Sequence, residues 1–257
     1  MEKRKKVDHS KMKLGKQVPR HDPRTLQLAN YLLPKALPPA PAEYMWGAAI
    51  TDWTMMDNDQ IGDCTCAAAG HLIMEWTVDN NNLYTPPSAD IISAYSQITG
   101  YDPQTGANDN GAAETDVLNF WRTTGISGRQ IYAYAALEPG NHFNIQQAVY
   151  MFGGCYIGLA LPQSAQTQTV WSVPPGGAIG SGAPGSWGGH AVPIIGYDQN
   201  SLTVVTWGDT KQMTWEFLDA YCDESYAIIS LDFISNNQSP NGFDLATLQA
   251  DLQDVIS

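Results

Sequence analysis

Two short segments constrain this chain more than any bulk property: Gly62-Asp63-Cys64-Thr65-Cys66-Ala67 and, far downstream, Gly188-Gly189-His190-Ala191-Val192. A thiol is a strong nucleophile only as thiolate. A helix N-terminus and a neighbouring imidazole both favour that state. The first segment supplies the helix start. Gly62 permits a tight approach, and Cys64 to Trp76 is a good helical run. The second supplies the imidazole. His190 lies between a flexible Gly-Gly and the apolar run Ala191 to Ile195, which reads as a strand.

A nucleophilic cysteine followed later by a histidine is the order of papain-like cysteine peptidases, and the chain resembles that family over roughly residues 45 to 232. Gly62-Asp63-Cys64 is similar to the family's Gly-Ser-Cys at the start of its central helix. Gly189-His190-Ala191-Val192-Pro193-Ile194-Ile195-Gly196-Tyr197 resembles its His-Ala-Val…Gly-Tyr strand, and Thr206-Trp207-Gly208 its Ser-Trp-Gly. Asp116 to Ile126 and Ile145 to Gly158 are similar to further helix and strand pieces in the same order. The chain reads as a divergent bacterial or phage-type member. The resemblance implies a two-lobed α+β fold: an N-terminal helical lobe with the cysteine helix, a C-terminal antiparallel β-barrel-like lobe, and a cleft between them.

It also implies roles. Cys64 is the nucleophile and His190 the base. The oxyanion-hole glutamine, six positions before the nucleophile, is here Asn58. A second register pairs Gln60 with Cys66 at the same spacing, but then the residue two before the nucleophile is Cys64 rather than glycine. The third triad position is Val205, which cannot orient an imidazole; Thr206 and Asp209 are the nearby candidates, and the third member stays unassigned. Cys64-x-Cys66 with His71 lacks a second ligand pair at zinc-like spacing, so neither a metal nor another cofactor is expected.

Charge divides the chain. Ten of its 13 Lys and Arg residues lie at or before Lys35, giving that stretch a net charge near +7 and the rest near −20. A basic arm can bind an acidic surface, and the nearest acidic surface is the chain's own body. No aromatic interleaves the arm's basic residues before Tyr31, which disfavours nucleic acid as a partner. Electrostatic docking, without a packed core, is the expectation for the arm. No apolar run is long enough to span a bilayer, and the start lacks the apolar stretch of a secretory signal, so no membrane is expected and the location read is cytoplasmic or virion-associated. Four cysteines, at 64, 66, 155 and 222, form no disulfide framework.

The domain division read from the sequence is a basic arm and Pro-rich linker over 1–43, a papain-like domain over 44–235, and a linker with an amphipathic helix over 236–257. Helices are expected from Cys64 to Trp76, Ser88 to Gln97 with Ser88 as cap, Asp116 to Thr124 and Asn144 to Phe152, then strands at 156–161, 191–197, 202–206 and 226–233. The glycine-rich 176–189 reads as a mobile loop leading to His190. The function expected is that of a cysteine-type endopeptidase, or a related acyl-transfer hydrolase, using a Cys64–His190 pair on peptide or amide bonds of a peptide or protein substrate. The alternative is a papain-like domain that has lost catalysis and serves an assembly such as a viral particle. Its arm and C-terminal helix would then meet a protein partner. A third reading is a regulator that binds peptides in the cleft.

Overall fold

The computed structural model describes residues 8–20, 25, 39–234 and 238–241. The amphipathic helix expected within 236–257 and most of the Pro-rich linker lie outside the described residues.

The centre of the molecule is helix α1 (Cys64–Asp79), with 14 of its 16 residues buried. Its sequence explains this. Cys, Ala and Gly in the first half and Leu, Ile, Met and Trp in the second leave only one polar row, His71, Glu75 and Asp79, and a helix so largely apolar must be covered on most sides. Each fully buried side chain such as Leu72 or Ile73 contributes about 1.5–3 kcal/mol. Gly70 allows the covering chain to come close, since a Cβ there would lie 2.5 Å from Met56 Sδ. Helices α2 (Ser88–Thr99) and α3 (Glu114–Thr123) pack on α1. Ser88 proves to be the first helical residue of α2. Pro87 holds the cap position and no side chain bonds the first turn, because the fixed φ of proline already sets the entry.

Six further strands follow β1 (Tyr44–Met45): β2 (Ile131–Ala136), β3 (Cys155–Leu161), β4 (Gly188–Tyr197), β5 (Ser201–Thr206), β6 (Asp209–Thr214) and β7 (Cys222–Ser230). They form one antiparallel sheet in the order β2-β7-β3-β4-β5-β6, with β1 paired to Tyr197 and Gly196 of β4. The sheet is open, with β2 and β6 at its two ends, and not closed into a barrel. Helix α1 lies against β4, with α4 (His142–Phe152) and α5 (Trp215–Tyr221) also packed on the sheet. The two elements that carry Cys64 and His190 are therefore neighbours. Strands β2 and β6 escaped the sequence reading because Ile131–Ala136 is only partly buried and Asp209–Thr214 is mostly polar.

The glycine-rich segment before β4 is tied down rather than free. Gly185 N donates to Ala160 O, Trp187 N to Leu161 O, and the Tyr221 hydroxyl to Gly182 O at 2.7 Å. Its backbone extends the β3 edge, and that satisfies groups a loop would leave to water. No described helix is long and apolar enough to cross a membrane.

Candidate active site

Cys64 is the first residue of α1, so its own N–H lacks an intrahelical partner. The turn before it is fixed from outside the helix. Gly62 N donates to Asp109 Oδ1 at 2.9 Å, and the Tyr95 hydroxyl donates to the same oxygen. The polar loop 100–111 thus anchors the turn before Cys64. Asp63 sits at the cap position but makes no side-chain cap bond. It is fully buried, and burial pushes its carboxyl well above the usual range.

The Cys64 thiol is buried, with the backbone of Ala191, next to His190, and of Gly15 in the arm near enough to favour its charged form. Burial pushes its pKa up to about 12, outweighing both. His190 is equally buried, and burial pulls its pKa down to about 3. Both groups are neutral in this state. His190 Nε2 lies 2.7 Å from Thr206 Oγ1, while Nδ1 is buried without a partner. With the proton on Nε2 donated to Thr206, Nδ1 presents its lone pair. The side chain in contact with Nε2 is thus that of Thr206, one residue after Val205. Asp209 is exposed and accepts from Thr210 N, away from the imidazole.

Trp207 explains how Thr206 and His190 are held. Thr206 pairs with Asp209 across the β5–β6 hairpin, and the two residues between them, Trp207 and Gly208, have φ of 48° and 74°. Positive φ at both positions is the type I′ pattern, which suits Asn or Gly and strains a bulky residue. In return the Trp207 indole stacks on His190 with ring centroids 4.5 Å apart and packs against Trp187 and His9.

Asn58 is buried beside the helix start, but its Nδ2 donates to Ile61 O at 3.3 Å and Asp63 Oδ1 at 3.1 Å. Both of its donor hydrogens are engaged. Gln60 is exposed and donates to Asp59, and Cys66 is fully buried, its thiol driven well above its ordinary pKa by burial. Gln60 and Cys66 do not converge on His190 through any described contact.

The arm does more than lie on an acidic face. Residues 14–17 thread past Gly62, two residues before Cys64: Lys16 N donates to Gly189 O, Ala112 N to Gly15 O and Gln17 N to Ala112 O. The walls are glycine. A Cβ on Gly111 would lie 1.9 Å from Gly15 O, on Gly189 2.2 Å from Lys16 O, and on Gly158 1.9 Å from Lys16 Cε. A Cβ on Gly15 itself would lie 1.7 Å from Gly62 O. Lys16 is 6% exposed and its ammonium contacts Asp223 at 2.8 Å and Glu224 at 2.9 Å. The expectation of docking without a packed contact is corrected here: charge brings the arm in, but a buried ion pair and a close backbone fit hold it. No sequence signal marked this, because Gly15 and Lys16 look like any other arm residues.

Solved structures share this architecture at low sequence identity. Xylellain, a cysteine protease from Xylella fastidiosa, has a TM-score of 0.61 at 13% identity, covering 90% of this chain and 98% of that one. Procathepsin B S9 from Trypanosoma congolense gives 0.61 at 12%, covering 86% and 87%. Digestive procathepsin L 3 from the Tenebrio molitor larval midgut gives 0.58 at 11%, covering 86% and 77%. No protein-family model matches the chain, and no curated protein sequence does. The chain has the papain-like two-lobed α+β fold, with its cysteine helix packed against the strand that carries the histidine.

Proposed function

We propose that the chain is a cysteine peptidase, or a related acyl-transfer hydrolase, in which Cys64 and His190 carry the chemistry and the arm holds the site at rest. One observation carries the reading: α1, which opens on the buried Cys64, packs against the strand that carries His190, whose Nδ1 is buried and unpartnered while Thr206 holds Nε2. With the arm withdrawn, water and the helix dipole reach the thiol, and its proton passes to Nδ1. The thiolate adds to a peptide carbonyl carbon. The Cys64 backbone N–H receives the developing oxyanion. His190 returns the proton to the leaving amine, and a water molecule, deprotonated by the same imidazole, releases the acyl group. Thr206 is a positioning residue, fixing the tautomer. Asn58 can join the oxyanion site only by giving up its bond to Ile61 or Asp63.

A specific observation favours the second reading, a domain without catalysis. Val205 offers no hydrogen bond, and Asn58 has no N–H to spare. Such a domain would serve an assembly, with its arm as the contact. The test uses the full chain with Lys16→Glu, which sets a carboxylate against Asp223 and Glu224 and frees the cleft. Hydrolysis of a peptide pool by that chain, abolished by adding Cys64→Ala or His190→Ala, supports the peptidase. A freed, folded chain that alkylates rapidly at Cys64 yet cleaves nothing supports the assembly role.

A further inference from the structure

We infer that the buried acidic pocket now filled by Lys16 is the specificity pocket of the cleft, and that it selects a lysine side chain in the bound peptide. This rests on the peptidase reading for its consequence, though not for its geometry. The pocket is built from three elements. Glu114 opens α3, Asp223 and Glu224 come from β7, and Gly158 of β3 forms the floor. Glu114 is fully buried and neither of its oxygens has a hydrogen-bond partner. Burying carboxylates together is costly unless a cation joins them. Lys16 is that cation, at 2.8 Å from Asp223 and 2.9 Å from Glu224. The body's other basic side chains are placed elsewhere. Arg129 pairs with Asp232, Lys211 donates to Gln168 O, and Arg122 is exposed.

The division of contacts points to substrate selection. The arm's backbone bonds to Gly189 and Ala112 could be made by any extended peptide. When a peptide adds as a strand, backbone bonds give affinity and side-chain pockets give choice. Here the buried side-chain choice is made at one position. A methyl group on Gly158 would overlap Lys16 Cε and sit 2.7 Å from Glu224 Cγ, so the absence of a side chain there is what admits the lysine stem. A compact ammonium on a flexible stem fits this narrow slot. Next to it, Gly15 touches Gly62 O so closely that a side chain is excluded, which adds a glycine preference at the neighbouring position.

The test separates this pocket from the catalysis. A full chain carrying Lys16→Ala and Cys64→Ala keeps the channel, empties the pocket and cannot hydrolyse. Calorimetric titration with acetyl-Leu-Gly-Lys-Gln-Val-amide, and with norleucine or glutamate in place of lysine, reads the preference. The lysine peptide should bind about tenfold or more tighter than the norleucine peptide, as a charge-assisted contact predicts. Adding Glu224→Gln and Asp223→Asn should remove that ratio. Equal binding of the lysine and norleucine peptides, or binding of neither, overturns the proposal. The unaltered chain gives a second reading that needs no variant. Excess lysine peptide should expose residues 8–20 to cleavage by a nonspecific protease, and the norleucine peptide should not. In the Lys16→Glu chain, cleavage of peptides without lysine preference sinks the pocket and leaves the peptidase standing. Lysine-selective binding with no cleavage does the reverse.

Discussion

Two neighbouring stretches of one arm meet the body in opposite ways. At residues 14–17, Lys16 is driven onto two carboxylates, Asp223 and Glu224, with its side chain 1% exposed. At residues 18–20, Val18 is exposed and Arg20 pairs with Asp116 at 2.7 Å with both side chains open to water. The formal charges are alike, but the surroundings are not. Solvent and salt screen the Arg20 pair, leaving about 0–1 kcal/mol. The Lys16–Glu224 contact is buried, and removing one partner of such a pair costs about 3–5 kcal/mol. Net charge brings the arm to the body, and burial decides which residue holds it there.

The largest effect should come from Lys16→Glu. Losing about 3–5 kcal/mol of docking would speed alkylation of Cys64 at pH 7 by about a hundredfold or more, read by mass spectrometry of the Cys64 peptide. An unchanged rate would show that the buried pair does not hold the arm. Gly15→Val should act next most strongly and in the same direction. Its Cβ has no room against Gly62 O, and the expected gain in Cys64 labelling is about tenfold or more. A Gly15→Val chain that labels as slowly as the parent would mean the backbone fit is loose.

A smaller effect is expected from pH. Burial lowers His9 to about 4 while it packs on Trp207. Released, it would titrate near its ordinary value of 6.5. The docked arm therefore binds fewer protons, so docking is complete above pH 6.5 and weakens as pH falls toward 4. Protonation of Glu224 acts in the same direction, since Lys16 then loses an anion. Hydrogen exchange at the Lys16 and Gln17 amides, corrected for its intrinsic pH dependence, should show protection falling over that range. Constant protection would remove the histidine from the account. The smallest effect belongs to Arg20→Ala, which should change Cys64 labelling by no more than about a few-fold and only at low salt. A loss as large as that of Lys16→Glu would erase the contrast between the two stretches.

Much of the fold was legible because its signals are local. The apolar run from Cys64 through Trp76 can only be a buried helix, and Ala191 to Tyr197 can only be a buried strand. Gly153, with φ of 73°, ends α4 where a glycine pair stands in the sequence. Strands β2 and β6 were missed because their partners, not their own residues, make them strands. Cys64, His190 and Thr206 were all named from the sequence, Thr206 only as one candidate among others. Its role as partner of Nε2 depends on a hairpin whose type I′ turn no side-chain pattern announces, since Trp207 is an unusual residue for that position.

The sequence by itself determined the two elements that carry the thiol and the imidazole, their order, and the excess of positive charge at one end. Those are properties of contiguous residues. Tertiary structure alone decided that Gly15 lies against Gly62, that Lys16 meets Asp223 and Glu224 near the buried Glu114, and that burial shifts the Cys64 thiol up and the His190 imidazole down. Each of these depends on residues far apart in the chain and on how much water the packing excludes. Desolvation is a property of the assembled surroundings, and no single segment carries it.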